Sequence, residues 1–121
     1  MILLDTNALI WIDAGHRRVR PLLRRHERLF VSPATLLELQ FLSEIGRIRL
    51  KDGDLGWVMA DDRWSVDEPV ATTWFMRAVQ AAWTRDPFDR LIAAHAEIRR
   101  WRVATGDAQM IERFGANGIA L

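Results

Sequence analysis

An α/β sandwich around a mostly parallel sheet is the fold class that the 121 residues predict, on three observations. Short, largely apolar runs at Ile2-Leu3-Leu4, Leu29-Phe30-Val31, Arg102-Val103-Ala104 and Ile119-Ala120-Leu121 lack polar alternation, as strands buried on both faces do. Segments with helix start and stop signals alternate with them. Half of the residues are hydrophobic and 27% are charged, a balance that fits a packed core rather than disorder. The length suits one domain, 1–121, able to bury roughly 65% of its unfolded surface. With no cysteine, neither a disulfide nor a thiolate zinc site nor a Cys nucleophile is available. No window approaches the ~18 uninterrupted apolar residues of a membrane span, and Met1-Ile2-Leu3-Leu4-Asp5 has no signal-like character. A cytoplasmic protein with no membrane association is expected.

Each element has a local reason. Ile2 to Leu4 is a strand, ended by Asp5-Thr6-Asn7, whose side chains cap helices well; Ala8 to Ile12 makes a helical turn or two, closed near Gly15. From Arg17 to Leu29, Val19, Leu22, Leu23 and Leu29 recur at roughly helical spacing, with Pro21 suited to a first turn. Leu29 to Val31 is the second strand. Ser32 and Pro33, as N-cap and first residue, open a helix through Ala34 to Glu44 that stops at Gly46. Asp52 to Asp62 reads as a short helix, Trp64 to Val66 as a strand, and Val70 to Trp83 as a helix. Asp86-Pro87-Phe88-Asp89 begins a helix to about Arg100; the strand Arg102 to Ala104 breaks at Thr105-Gly106-Asp107. A helix from Ala108 to Phe114 ends at Gly115, and Ile119 to Leu121 closes the sheet.

Four carboxylates stand in awkward places. Glu38 lies in Leu36-Leu37-Glu38-Leu39-Gln40-Phe41-Leu42, with Ala34, Phe41 and Leu42 as its helical neighbours. A buried, unpaired carboxylate costs several kcal/mol or more, so Glu38 needs a cation, a proton or a hydrogen-bonding partner. An ion pair with an arginine would serve as well as a functional site. Asp5 and Asp107 both follow predicted strands, where open parallel sheets bind ligands and where helix caps also sit. Asp86 fits an N-cap with Asp89 at the third helical position, resembling a capping box; Asp89 could equally face a cleft. If the sheet is doubly wound, these acids can converge on one edge. Their repulsion then demands cations, and oxygen-only ligation selects Mg²⁺ or Mn²⁺ over zinc. Such ions activate water and stabilise charge on a phosphoryl group, which makes metal-assisted phosphodiester hydrolysis the leading chemistry.

The segments Leu3-Leu4-Asp5-Thr6-Asn7, Ser32-Pro33-Ala34-Thr35-Leu36-Leu37-Glu38-Leu39, Asp86-Pro87-Phe88-Asp89-Arg90-Leu91-Ile92-Ala93-Ala94 and Val103-Ala104-Thr105-Gly106-Asp107 together resemble the PIN domain, most closely the VapC-type toxins of toxin–antitoxin pairs. The resemblance spans Leu3 to Asp107 and implies a PIN-like three-layer sandwich. It also implies a Mg²⁺-dependent endoribonuclease with Asp5, Glu38, Asp89 and Asp107 as catalytic and metal-binding acids. Asp86, Asn7 and Thr105 would be accessory. An antitoxin is implied as partner, occupying the acidic cleft with an Arg or Lys where a metal would sit. Two positions depart from the family's pattern: Gly106, where many relatives carry a bulkier residue, and His95, where relatives often have glutamine.

Seventeen basic residues face sixteen acidic ones for a net charge of +1, and Lys51 is the only lysine. His16 to Arg28 concentrates arginines, and Arg17, Arg18, Arg24 and Arg25 are the candidate RNA-phosphate contacts, expected beside the acidic cleft; a solvated helix face is the compatible structural alternative. His95 shares a helix face with Leu91, Ile92 and Ile98 and reads as packed. Six tryptophans without a tyrosine favour core packing and a homodimer interface. The rival functions are a receiver-like signalling domain and a binding module that has lost its metal. The first would want paired acids after the first strand and a late lysine, and the second is disfavoured by the presence of all four acids.

Overall fold

The structure, a computed structural model, describes residues 1–121. Strands β1 (Ile2–Leu4), β2 (Leu29–Val31), β3 (Ser65–Val66), β4 (Arg102–Thr105) and β5 (Gly118–Ala120) form one sheet in the order β3-β2-β1-β4-β5. Every neighbouring pair is parallel, so the sheet is wholly rather than mostly parallel. Seven helices flank it: α1 (Thr6–Asp13), α2 (Arg20–Leu23), α3 (Pro33–Glu44), α4 (Gly56–Ala60), α5 (Ala71–Val79), α6 (Pro87–Arg99) and α7 (Ala108–Phe114).

The two-residue period of β1 builds the three layers. Ile2 and Leu4 point into a core with Leu9 and Ile12 of α1, Leu22 of α2 and Val58 of α4. Leu3 points the other way, into a core with Trp74 of α5, Ile92 of α6 and Met110 of α7. Helix α3 feeds both, Leu39 to the first and Ala34 to the second. Trp64 and Trp74 are buried, and their indole N–H groups donate to the carbonyls of Val58 (2.9 Å) and Leu91 (2.7 Å). His95 is fully buried between Trp74 and Trp101, with Nε2 2.7 Å from Asp67, which makes it the packed histidine expected. No helix is long and apolar enough to cross a membrane.

Three helices are shorter than their sequences predict. Arg17 to Leu29 yields only a 3-10 turn (Arg17–Val19) and the single turn α2, and the chain leaves the helix with His26 at φ 52°. Arg20, Arg24 and Arg28 lie four residues apart, so a continuous helix would stack like charges. Between Asp52 and Asp62 only α4 forms, because Asp52 (φ 54°) and Gly53 (φ 73°) both turn left-handed. Helix α5 stops at Val79: Arg90 Nη1 takes the Val79 carbonyl (3.2 Å) and Arg90 Nε that of Thr84 (2.8 Å), satisfying acceptors that a longer helix would have used.

Candidate active site

The strand order reverses at β1. The chain moves outward through β2 to β3, then crosses back to lay β4 and β5 on the other side. Beyond the carboxyl ends of β1 and β4 such a reversal leaves a crevice. Asp5 follows β1 directly and Asp107 follows β4 by two residues, so both acids arrive there. The Asp5 N–H continues the ladder to the Ala104 carbonyl at 3.0 Å. The Thr105 hydroxyl donates to Asp5 Oδ2 and accepts from the Asp107 N–H at 3.0 Å, tying the two acids together. Both acids are also helix caps: Asp5 Oδ1 accepts from Ala8 N at 2.9 Å, and Asp107 Oδ1 accepts from Met110 N at 2.9 Å. Capping thus falls to Asp5 rather than to Thr6 or Asn7, and it leaves lone pairs on each carboxylate for another ligand.

Helix α6 brings a third acid. Asp86 caps it, accepting from the backbone N–H of Phe88 (2.8 Å) and Asp89 (3.2 Å). The reciprocal half of a capping box is missing, since the Asp86 N–H donates instead to Thr84 Oγ1 at 3.2 Å. Asp89 is therefore released from structural duty and faces the crevice. Helix α3 adds Glu38, one turn beyond Thr35, whose hydroxyl meets that of Thr6 at 3.2 Å and pins α3 to α1. Asp5, Thr6, Asn7, Glu38, Asp86, Asp89 and Asp107 line one pocket of about 130 Å³. Thr105 supports it through Asp5 and Asp107 without lining it.

None of these five acids forms a salt bridge; the ion-paired carboxylates are Asp13, Glu27, Asp61, Asp67 and Glu97. Glu38 therefore has no arginine partner. The cost appears in protonation. Burial, then the charges of Asp86, Asp107, Glu38 and Asp5, push Asp89 up to about 7. Burial also raises Asp5, against the opposing Thr105 and Ala8 hydrogen bonds and with Asp107 adding to it. Glu38 is raised chiefly by burial, with Asp86 and Asp5 adding and Thr6 opposing. The chain's acids and histidines form no ready-made metal cage of three or more. The donor set is nonetheless all oxygen, crowded and uncompensated by any cation of the protein, which suits a hard divalent ion. Replacing Thr105 with Val, similar in shape but without the hydroxyl, should weaken Mn²⁺ binding by about 10–100-fold through its loss beneath Asp5 and Asp107, as read by calorimetry.

A larger groove of about 850 Å³ opens beside the pocket and shares Asn7, Glu38 and Asp86 with it. Its walls include Ile10, Phe41, Leu42, Ile45, Arg47 and Phe88. The apolar surround expected for Glu38 is thus partly an open surface: Leu37 is 62% and Phe41 45% exposed. Part of the basic stretch lies away from the cleft where it is expected. Arg28 O accepts from Ile2 N at 2.9 Å, so the segment enters β2 at the amino edge of the sheet. Arg25 pairs with Glu27, which also meets the Met1 amino group and Arg102, all at strand beginnings. Arg24 and Arg25 therefore lie at the edge opposite the acids, not beside the cleft. Arg17 and Arg18 follow α1 and stay exposed.

The strand order β3-β2-β1-β4-β5 differs from the 2-1-3-4-5 order of receiver domains, which removes that rival. What remains is a class of small parallel α/β protein whose carboxylates gather at the switch point of the sheet. The chain belongs to the PIN domain family, whose profile matches residues 2–116. PIN domains are generally nucleases. In structure the chain is similar to a toxin–antitoxin complex from Klebsiella pneumoniae, at 18% identity over 99% of this chain and 97% of that one (TM-score 0.69). It is similar to VapBC2 from Rickettsia felis bound to a DNA fragment from its promoter, at 19% identity over 100% and 98% (TM-score 0.68). FitAcB from Neisseria gonorrhoeae also matches, at 24% identity over 100% and 96% (TM-score 0.58). No curated protein gives a significant match.

Proposed function

We propose that the protein is a Mg²⁺- or Mn²⁺-dependent endoribonuclease, the VapC-like toxin of a toxin–antitoxin pair, acting as a single 1–121 domain in the cytoplasm. The observation that carries this reading is the pocket of five carboxylates without a single cation partner in an arginine-rich chain. Asp5, Glu38, Asp89 and Asp107 would hold the metal, which when bound supplies an activated water and charge neutralisation at the scissile phosphate. Thr105 orients Asp5 and Asp107. Asp86 fixes the first turn of α6, and so the direction of Asp89. Asn7 adds the pocket's one amide, a neutral donor for a phosphate oxygen. Labelled RNA incubated with the purified protein should be cut with Mg²⁺ or Mn²⁺ and stay whole in EDTA; cleavage in EDTA would sink the proposal.

The toxin–antitoxin assemblies among the structural neighbours support an antitoxin partner. The apolar groove beside the acids suits it, because a segment seated there would block the cleft. That leaves the exposed face of α5 for a second copy of the chain: Phe75, Met76 and Val79 are 52%, 59% and 65% exposed. A Phe75→Asp/Met76→Glu double substitution should convert the dimer to monomer at tens of micromolar, ~10 μM upward, in sedimentation. A wild-type protein that is already monomeric there would refute the dimer.

A further inference from the structure

Gly106 stands between Thr105 and Asp107 with no positive φ to require glycine; space requires it instead. A Cβ there would come within 2.4 Å of Trp11 Cη2 and 2.8 Å of Cζ3. The far edge of the Trp11 indole, carried on α1, thus fills the volume that a larger residue before the last acid would take. Trp11 is half-buried against the α1 side of the core, so displacing the indole would cost that packing. The Arg18 guanidinium lies over the same ring, 4.9 Å from its centroid. Its backbone is held as well: the Arg18 N–H donates to His16 Nδ1 at 3.1 Å. Arg18 has no carboxylate partner. Stacking occupies the face of a guanidinium and leaves its in-plane N–H donors free for a phosphate.

We infer that Trp11 and Gly106 form a matched pair that seats Arg18 one indole away from the Asp107 corner, as the residue that grips an RNA phosphate beside the acidic pocket. An acidic pocket repels a polyanion, and a net charge of +1 gives little general attraction. A cation seated close to the acids meets that need, where Arg24 and Arg25 on the opposite edge do not. Trp11 is then a positioning residue, and Gly106 is the space that lets it sit.

The inference rests on the ribonuclease reading, and its test separates the two. Binding of a short labelled single-stranded RNA of mixed sequence is measured in Ca²⁺ over a range of salt, with Mn²⁺ affinity measured in parallel. Arg18→Gln should weaken RNA binding about tenfold and flatten the log–log salt slope by roughly 0.7. Arg18→Lys, which keeps the charge, should restore the slope. Gly106→Ala should flatten the slope as Arg18→Gln does although Arg18 is intact, and combining the two should add little. Trp11→Leu should do the same wherever it folds; Gly106→Ala keeps the test open where it does not. A wild-type slope in Arg18→Gln overturns the inference, and so does a wild-type slope in a folded Gly106→Ala protein. An equal loss in Arg24→Gln also overturns it, because attraction would then be diffuse. Mn²⁺ affinity should be unchanged in Arg18→Gln. If wild-type protein binds RNA with this pattern yet takes up no Mn²⁺, the metal-nuclease reading fails and the Arg18 seat stands.

Discussion

Asp5→Asn and Asp107→Asn should each slow Mg²⁺-dependent RNA cleavage by at least about a hundredfold while the protein stays folded. Both replacements keep the side-chain shape and an oxygen for the cap, to Ala8 and Met110 respectively, so α1 and α7 keep their starts. What each loses is one of the negative charges that would hold the metal. At Asp5 the substitution also relieves burial of a carboxylate, so a melting temperature equal to or above wild type is expected. Asp86→Asn provides the contrast. Its oxygen caps α6 through Phe88 and Asp89, and Asn caps nearly as well, so activity should fall far less. Wild-type cleavage rates in Asp5→Asn, measured on the same RNA, would dismiss the assignment.

Asp89→Asn should stabilise the metal-free protein at pH 8 by about 1–2 kcal/mol. Asp89 is raised from 3.8 to about 7, a shift that in full would correspond to about 4 kcal/mol; the side chain is only half-buried, and solvent screening discounts it. The sign follows from linkage. Between its ordinary value and about 7 the folded state holds a proton on Asp89 that the unfolded state has lost, so stability falls as pH rises through that window. Below the window, wild type and Asp89→Asn should be equally stable. Adding Mn²⁺ at pH 8 should restore wild type and do little for the variant. Urea unfolding at several pH values, with and without Mn²⁺, reads all of this. A wild-type protein whose metal-free stability is flat across the window would contradict the cluster's electrostatics.

Strands β1, β2, β4 and β5 are legible because each is a short, largely apolar run that needs no partner to be recognised; β1 is buried on both faces, as Ile2-Leu3-Leu4 implies. The caps at Ser32, Asp86 and Asp107 were legible for the same local reason. Lengths were less so, since the end of α5 is set by Arg90, eleven residues beyond Val79, which no local pattern announces. At the site, the acids showed through position, and Asn7 and Thr105 through the family resemblance. Thr6, Thr35 and Thr84 did not, because a threonine whose hydroxyl bonds across elements looks in sequence like any other. The placement of Arg24 and Arg25 at the amino edge of the sheet does not show in the sequence for a related reason: a charge cluster reveals its sign, not the edge at which it emerges.

The Thr105–Asp5 hydrogen bond joins residues 100 positions apart in the chain. Strand β1 sits mid-sheet, yet its β4 neighbour, beginning at Arg102, is made long after it. On the ribosome, Asp5 must therefore wait, and so must β1, with one side of its ladder unpaired until residues 102–107 emerge. Such long-range closure slows folding and sets its order. A growing chain has no acidic pocket at any earlier stage, and a message cut short before β4 yields a product that cannot assemble one.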